Sequence, residues 1–345
     1  MNTNQNWIID APAGATYLSD FLTEIPVNCL FNKKQTGCGA TELAIRNSIP
    51  TLIAMPYVAL VKNKTIYRKD AVSVLGVYEG IGEQDIIDYA QSHSPLKIAV
   101  TYDSLPRTIK ALQSAGLDPY KELFLLVDEW HVLFNSYSFR HTAIKNLLAE
   151  AAKFERATYM TATPIEREYV LEELKHLPIC EINWPHLIEV NIRSRQTSKP
   201  AHYIVKECRK VLDSRLEHNL HIFVNSVEFI AKVIDLAKLT PEQVKVVCSV
   251  SGDNGENFYT STCFEGCDLY DENGVTFIVS DGNKSHTLLD ISTLFTQICG
   301  RLRDSKYKGE IIHVYSTTKY SRDVTLDEFV AATKKTLQEA VQYAD

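Results

Sequence analysis

The sequence predicts two consecutive α/β domains, each a mainly parallel sheet flanked by helices. Short apolar, β-rich runs alternate with helix-period segments along most of the 345 residues. The runs lack clean polar–apolar alternation, as strands buried on both faces do. The length itself suits about two domains of ordinary size. A polar stretch, RSRQTSKP (193–200), interrupts the pattern between two series of runs, and the expected domains cover 1–184 and 185–345.

The first series is VNCLFN (27–32), TLIAM (51–55), KIAVT (97–101), ELFLLV (122–127) and ATYMT (157–161), with ELAIRNS, DIIDYAQS and FRHTAIKNLLAEAAKF as helices between them. The second is LHIFV (220–224), VKVVCSV (244–250), NFYTST (257–262), VTFIVS (275–280) and EIIHVY ending at 315. A closing helix, LDEFVAATKKTLQEAVQYA, sets Leu326, Phe329, Val330, Leu337 and Val341 roughly on one face for packing. Ligands of such folds bind at the carboxyl ends of the strands.

Composition narrows the function classes. With 45% hydrophobic and 23% charged residues the chain is ordinary globular protein, not disordered, collagenous or coiled coil throughout. No apolar run reaches the roughly 20 residues of a membrane span. The start, MNTNQNWIIDAPAG, lacks the basic region and apolar run of a secretory signal, so a cytoplasmic protein is expected. A net charge of −7 excludes a generally basic nucleic-acid coat, though binding responds to the local field. Of eight cysteines only Cys263 and Cys267 are close, and no second pair completes a zinc site. Reduced thiols are expected.

Five segments carry chemistry. VNCLFNKKQTGCGATELAI runs from a strand through a glycine-bearing turn into a helix, the setting in which backbone amides cradle phosphate and a Thr hydroxyl holds magnesium. Thr36, Gly37, Cys38, Gly39, Ala40 and Thr41 form that turn, with Thr41 as the magnesium-side hydroxyl. Ala40 occupies the place of the usual phosphate-binding lysine. Lys34, seven residues before Thr41, is the expected substitute, while Lys33 faces the opposite way if the strand continues through it. Read alone, the loop is matched by any strand-to-helix turn.

ELFLLVDEWH sets Asp128 and Glu129 at the end of an apolar strand, where carboxylates cost stability unless they bind something. Asp128 is expected to hold magnesium and Glu129 to orient and deprotonate water, with His131 sensing the nucleotide state. YMTATPI offers Thr161 and Thr163 as coupling hydroxyls. In the second half, TSTCFEGCDLYD supplies Thr260, Ser261, Glu265, Gly266 and Asp268. LFTQICGRLRDS supplies Gln297, Arg301 and Arg303, arginines suited to stabilising transition-state charge from a helix facing the other domain.

The order TGCGAT, IAMPYVALV, VTYDSL, VDEWH, TATP, IFVNS, TSTCFEGCDL, QICGRLR resembles a superfamily 2 helicase of the DEAD/DEAH type over residues 27–315. TSTCFEGCDL and QxxGRxR bring it nearest to viral origin-binding and phage or mobile-element helicases. The resemblance implies two RecA-like domains binding ATP and Mg2+ between them. It implies nucleotide contacts at Gly37, Gly39, Thr41, Asp128, Glu129, Gln297, Arg301 and Arg303. Strand-backbone contacts are implied at Pro56, Thr101, Ser104, Asn225, Ser226, Thr260 and Ser261, and coupling at His131, Thr161, Thr163, Glu265, Gly266 and Asp268. The implied partners are single-stranded or duplex nucleic acid, DNA favoured, and replication proteins, with no membrane. Two departures stand out. Ala40 replaces the phosphate-loop lysine, and the second arginine follows the first by two residues rather than three, with Asp304 at the usual place. A non-hydrolysing nucleic-acid scaffold and an ATPase remodeller that does not unwind remain the alternatives to an ATP-driven translocase.

Overall fold

The computed structural model describes residues 6–66, 70–135, 137–186, 189–213, 218–247, 257–260, 264, 269–318, 325, 327–328 and 331. The closing helix read from the sequence lies almost wholly outside them. Two parallel sheets organise the rest. The first has eight strands: β1 (Trp7–Asp10), β2 (Leu30–Asn32), β3 (Thr51–Met55), β4 (Leu75–Val77), β5 (Lys97–Thr101), β6 (Phe124–Asp128), β7 (Ala157–Thr161) and β8 (Ile179–Asn183). Their order is β1-β8-β2-β7-β6-β3-β5-β4. The second has β9 (Asn191–Gln196), β10 (Asn219–Phe223), β11 (Lys245–Val247), β12 (Asn257–Tyr259), β13 (Gly274–Asp281) and β14 (Glu310–Ser316), in the order β11-β12-β10-β13-β14-β9.

Burial on both faces explains the unalternated strands. In β3, Leu52 and Ala54 join one core while Ile53 and Met55 join the opposite one; β6 splits the same way, Leu125 and Val127 against Phe124 and Leu126. Helices α3 (Glu83–Ser92), α4 (Leu105–Ser114) and α7 (Tyr137–Ala151) cover the first face through Ile86, Ile109 and Leu147, with the short α5 (Pro119–Glu122) and α6 (His131–Asn135) between α4 and α7 in the chain. Helices α1 (Ala40–Arg46) and α2 (Val58–Lys64) cover the second through Ala44, Ile45, Leu60 and Val61. On the second sheet, α8 (Pro200–Leu212) and α9 (Val227–Ala237) pack Ile204, Phe229, Ile230 and Val233 over one face. The other face holds a smaller cluster of Phe223, Ile278 and Ile311 with Phe295 and Ile298.

Four strands escaped the sequence reading. β1, β4 and β9 are sheet edges with at least one open side, so burial leaves little apolar signature. The polar stretch at 193–200 is in fact most of β9, exposed along its whole length, followed by the start of α8. β8, ICEIN, buries only alternate residues. The described cysteines are free, with Cys29, Cys38, Cys180 and Cys208 buried. Among the described residues no helix is long and apolar enough to cross a membrane.

One buried cation ties α1 in place. The Lys97 ammonium donates to the carbonyls of Ala44 (2.6 Å) and Ile49 (2.5 Å) and to Asn47 Oδ1 (2.8 Å), with Thr51 Oγ1 at 3.4 Å. Burial lowers its pKa to about 8, so near neutral pH it keeps three protons for these acceptors. Lys97→Met is expected to lower stability by about 1–3 kcal/mol, because it strands buried carbonyls at the end of α1. A denaturant midpoint equal to the parent's would refute that role.

Candidate active site between the two sheets

The carboxyl ends of β2, β6 and β7 bring the first sheet's polar residues together. Asp128 ends β6, and Glu129 follows in the left-handed region at φ 53°, a strained setting for a non-glycine residue. That turn aims both carboxylates at one point. The Thr41 hydroxyl, in the first turn of α1, donates to Asp128 Oδ2 (2.9 Å), and the Glu129 amide donates to Asp128 Oδ1 (3.0 Å). Both carboxylates are buried, 4% and 5% exposed. Burial pushes the Asp128 pKa up, and Glu129's charge adds to this. Burial would also raise Glu129, but Lys33, His131 and Arg301 override it and hold Glu129 below its ordinary value.

The lysine in the site is Lys33, not Lys34. Its ammonium, 6% exposed, lies 3.3 Å from Glu129 Oε1 and 3.6 Å from Asp128 Oδ1. Burial alone would lower its pKa, yet the two carboxylates raise it above that of free lysine. Lys34 instead pairs at the surface with Glu181 Oε2 (3.0 Å). The sequence expectation had the alternation right and its phase wrong. The ladder continues one residue past β2, since the Lys33 amide donates to the Thr161 carbonyl (2.9 Å). Asn32 donates to Glu181 Oε1 (2.8 Å), so Lys33 projects to the other face. Lys34 then turns at φ 59° and stays on Glu181's side.

Around Glu129 Oε2 a hydroxyl network closes. Thr161 Oγ1 donates to it (3.3 Å), His131 Nδ1 lies 2.8 Å from Thr161 Oγ1, and the Thr163 amide donates to Thr161 Oγ1 (3.1 Å). The second sheet supplies the last contact. Gln297 Nε2 donates to Glu129 Oε2 (3.2 Å) and to Thr163 Oγ1 (3.3 Å), and Arg301 donates to Gln297 Oε1 (2.6 Å). Arg301 and Gln297 are buried, 2% and 0% exposed. Two carboxylates thus face two cations, Lys33 and Arg301.

Gln297 sits in the four-residue helix α10 (Thr296–Cys299), held on the second sheet by Phe295 and Ile298. The arginines are not on that helix, as the sequence reading assumed. Leu302 pairs with Leu269 in an isolated parallel bridge: Leu269 N–H donates to the Arg301 carbonyl and Arg303 N–H to the Leu269 carbonyl, both at 2.9 Å. On extended chain, residues two apart share a face, so the two-residue spacing aims both side chains the same way. Arg303 lies against Gly37, where any Cβ would strike its guanidinium, and Gly37 has φ 71°. Thr36 packs in the same manner against Gly300. The glycine turn, Thr36 to Gly39, is therefore closed over by the second sheet's arginine segment. Cys38 is buried beneath it, and its thiol is pushed up by burial.

Tyr17 was missed by sequence reading. It is half exposed, and its Cδ1 lies 3.4 Å from the place a Cβ on Gly39 would take. The Leu18 amide donates to the Cys38 carbonyl (2.8 Å), fixing this segment on the loop. An isolated tyrosine 20 residues before a glycine turn gives no signal of its own.

The residues expected to touch a strand lie just beyond the sheets' carboxyl ends. Pro56 follows β3, Thr101 ends β5 and Ser104 opens α4. Thr101 Oγ1 donates to Ser104 Oγ (2.9 Å). In the second sheet Asn225 Nδ2 donates to the His286 carbonyl (2.8 Å), Ser226 Oγ caps α9 at the Phe229 amide (3.2 Å), and Thr260 follows β12. The hydroxyls of Thr101 and Ser226 are engaged within their own turns. Ser261, Glu265, Gly266 and Asp268 lie outside the described residues.

No family model and no curated protein sequence matches the chain. Solved structures do. A structure of RecG bound to a three-way DNA junction aligns with TM-score 0.53 and 15% identity, covering 92% of this chain and 43% of RecG. A variant of S. cerevisiae Dbp5 bound to RNA and ADP BeF3 aligns with TM-score 0.55 and 11% identity, covering 85% of this chain and 80% of that one. The present chain thus spans less than half the length of RecG. At such identities the likeness concerns fold alone: the chain has a tandem RecA-like fold, two mainly parallel sheets flanked by helices, which RecG and Dbp5 share.

The buried charges make a stability test. Lys33→Met leaves two facing carboxylates without their cation and is expected to lower stability by about 3–5 kcal/mol. Lys34→Met, at the surface, is expected to cost less than about 1 kcal/mol. Adding Glu129→Gln to Lys33→Met removes one orphaned charge and should restore part of the loss. Equal unfolding midpoints for the two lysine variants would contradict the assignment of Lys33 to the site.

Proposed function

We propose that the chain is a nucleic-acid-dependent ATPase that binds ATP and Mg2+ between its two sheets and uses hydrolysis to move along single-stranded or duplex nucleic acid, with DNA favoured. One observation carries the reading: Glu129 is contacted at once by Lys33 from the first sheet and Gln297 from the second. A carboxylate buried between the sheets and depressed in pKa is ionised at neutral pH, ready to accept a water proton.

In this reading the turn Thr36–Thr41 holds the phosphates, and the Lys33 ammonium takes the role lost at Ala40. Thr41 and Asp128 offer the hard oxygen donors that would hold magnesium, and a bound magnesium ion would neutralise charge on the phosphates. Glu129 orients water and takes its proton as oxygen attacks the γ-phosphorus and the bond to the β-bridging oxygen breaks. Arg303, against the loop, stabilises the charge that develops, while Arg301 holds the Gln297 amide toward Glu129. Tyr17 forms a stacking platform for the base. His131, Thr161 and Thr163 transmit the state of Glu129 to Gln297. Pro56, Thr101, Ser104, Asn225, Ser226 and Thr260 bring loop backbone to the strand. Replication proteins are proposed as the partners that choose the target.

The non-hydrolysing scaffold is favoured by Ala40 alone, and a buried lysine beside the same carboxylates answers that observation. The decisive measurement is ATP hydrolysis with and without single-stranded DNA. Glu129→Gln is expected to lower turnover about 10²–10⁴-fold while ATP still binds. Lys33→Ala is expected to weaken ATP binding by roughly 30-fold to several thousand-fold, from a contact of about 2–5 kcal/mol, and Lys34→Ala to leave it near the parent's. A parent that binds ATP without turnover would make the scaffold the better reading.

A further inference from the structure

We propose that Tyr102 is a positioning residue through which nucleic acid, held at the loops after β3 and β5, acts on Glu129. The inference rests on the reading of the chain as a nucleic-acid-dependent ATPase.

Tyr102 follows β5 directly and is fully buried. Its hydroxyl donates to the Asp128 carbonyl at 2.6 Å, with the Glu129 carbonyl at 3.4 Å. The Asp128 carbonyl belongs to the peptide on which Glu129 hangs in its left-handed conformation. A residue held at positive φ persists only where its surroundings over-determine it. The Tyr102 hydroxyl is one such restraint, and it is a neutral one that leaves the charge balance of the site unchanged.

The other side of the ring reaches toward the surface. Arg140 Cζ lies 6.0 Å from the Tyr102 ring centroid, at the limit of a cation–π contact. The same guanidinium donates to the Pro56 carbonyl (2.9 Å) and pairs with the Asp103 carboxylate. Arg140 therefore ties the loop after β3 to the loop after β5, at the point where α7 departs from helical geometry (φ −125°, ψ 23°). It lies outside every segment on which the sequence resemblance was built. Arg107 braces the same turn, donating to Ser104 Oγ (3.3 Å) and to the carbonyls of Tyr78 and Ile81.

Asp103 is a side chain more than half exposed, and its place can be taken. A phosphodiester arriving at Pro56 and Ser104 offers Arg140 an anionic partner of similar geometry. Exchanging Asp103 for that phosphate releases the 102–104 turn from α7. The turn carries the Tyr102 hydroxyl, so its shift is felt at the Asp128 carbonyl and hence at the angle of Glu129. The strand thereby favours one setting of Glu129 over another, as a ligand must to alter an equilibrium.

The test compares ATP hydrolysis of the parent, Tyr102→Phe and Asp103→Asn, with and without a single-stranded oligonucleotide, alongside oligonucleotide affinity and unfolding midpoint. Tyr102→Phe keeps the ring and loses the hydroxyl. Its stimulation ratio is expected to fall about fivefold or more while oligonucleotide affinity stays at the parent's value, with the midpoint lowered by the loss of one buried hydrogen bond. Asp103→Asn, at the surface, is expected to tighten oligonucleotide binding about two- to fivefold, because the competing carboxylate is gone. An unchanged ratio in Tyr102→Phe overturns the proposal. So does a parallel fall of stimulated and unstimulated rates, which marks a merely structural hydroxyl. An unchanged affinity in Asp103→Asn overturns the exchange at Arg140. A parent that oligonucleotide does not stimulate overturns the ATPase reading itself, and this inference with it.

Discussion

Two carboxylates at the end of one buried strand need compensation, and much of the molecule around them answers that need. Asp128 and Glu129 leave water together, and each would raise the other's pKa if left alone. Lys33 from β2's extension, the Thr41 hydroxyl from α1 and the Thr161 hydroxyl from β7 surround them. Placing those groups requires β2, β6 and β7 side by side and in parallel, which is how the first sheet is ordered. A buried ion pair of this kind is weak as a source of net stability but costly to break. Such an arrangement suits a site whose charges are to be re-paired when a ligand enters.

The second sheet completes the compensation rather than merely lying near it. Gln297 and Arg301 add a donor and a cation to Glu129's surroundings, while Arg303 and Gly300 fit against Gly37 and Thr36. Both contacts depend on absent side chains, because a Cβ at Gly37 or Gly300 would collide with the opposing residue. The Phe295–Ile298 cluster fixes this segment to the second sheet, so separation of the sheets would take the whole donor set away at once.

Much of this was legible in the sequence. Unalternated apolar runs between helix-period segments gave a two-domain parallel α/β protein, and the solved structures of RecG and Dbp5 share that fold. Asp128 and Glu129 announced themselves as charges ending an apolar strand. Gly37 and Gly39 did so as glycines before a helix, and both have positive φ. Edge strands β1, β4 and β9 were illegible because an edge need not bury two faces. Tyr17 and Arg140 carried no pattern at all, and Tyr102 only its place in VTYDSL: what each touches lies across space from it.

The sequence by itself determined where the central buried strands run and that Asp128 and Glu129 stand at the end of one, since those strands follow from local apolar runs and the turns that stop them. It also set two lysines, Lys33 and Lys34, at the end of β2 beside the glycine turn. Tertiary structure alone decided which lysine faces Asp128 and Glu129. The ladder bond from Lys33 to Thr161 extends β2 by one residue, and the pull of Glu181 on Asn32 and Lys34 sets the phase of the alternation. It likewise decided that Arg301 and Arg303 lie off the helix, because the bridge between Leu302 and Leu269 holds that segment extended where the sequence suggested a helix. Both outcomes depend on pairing between segments far apart in the chain, and periodicity within one segment contains no information about its partner.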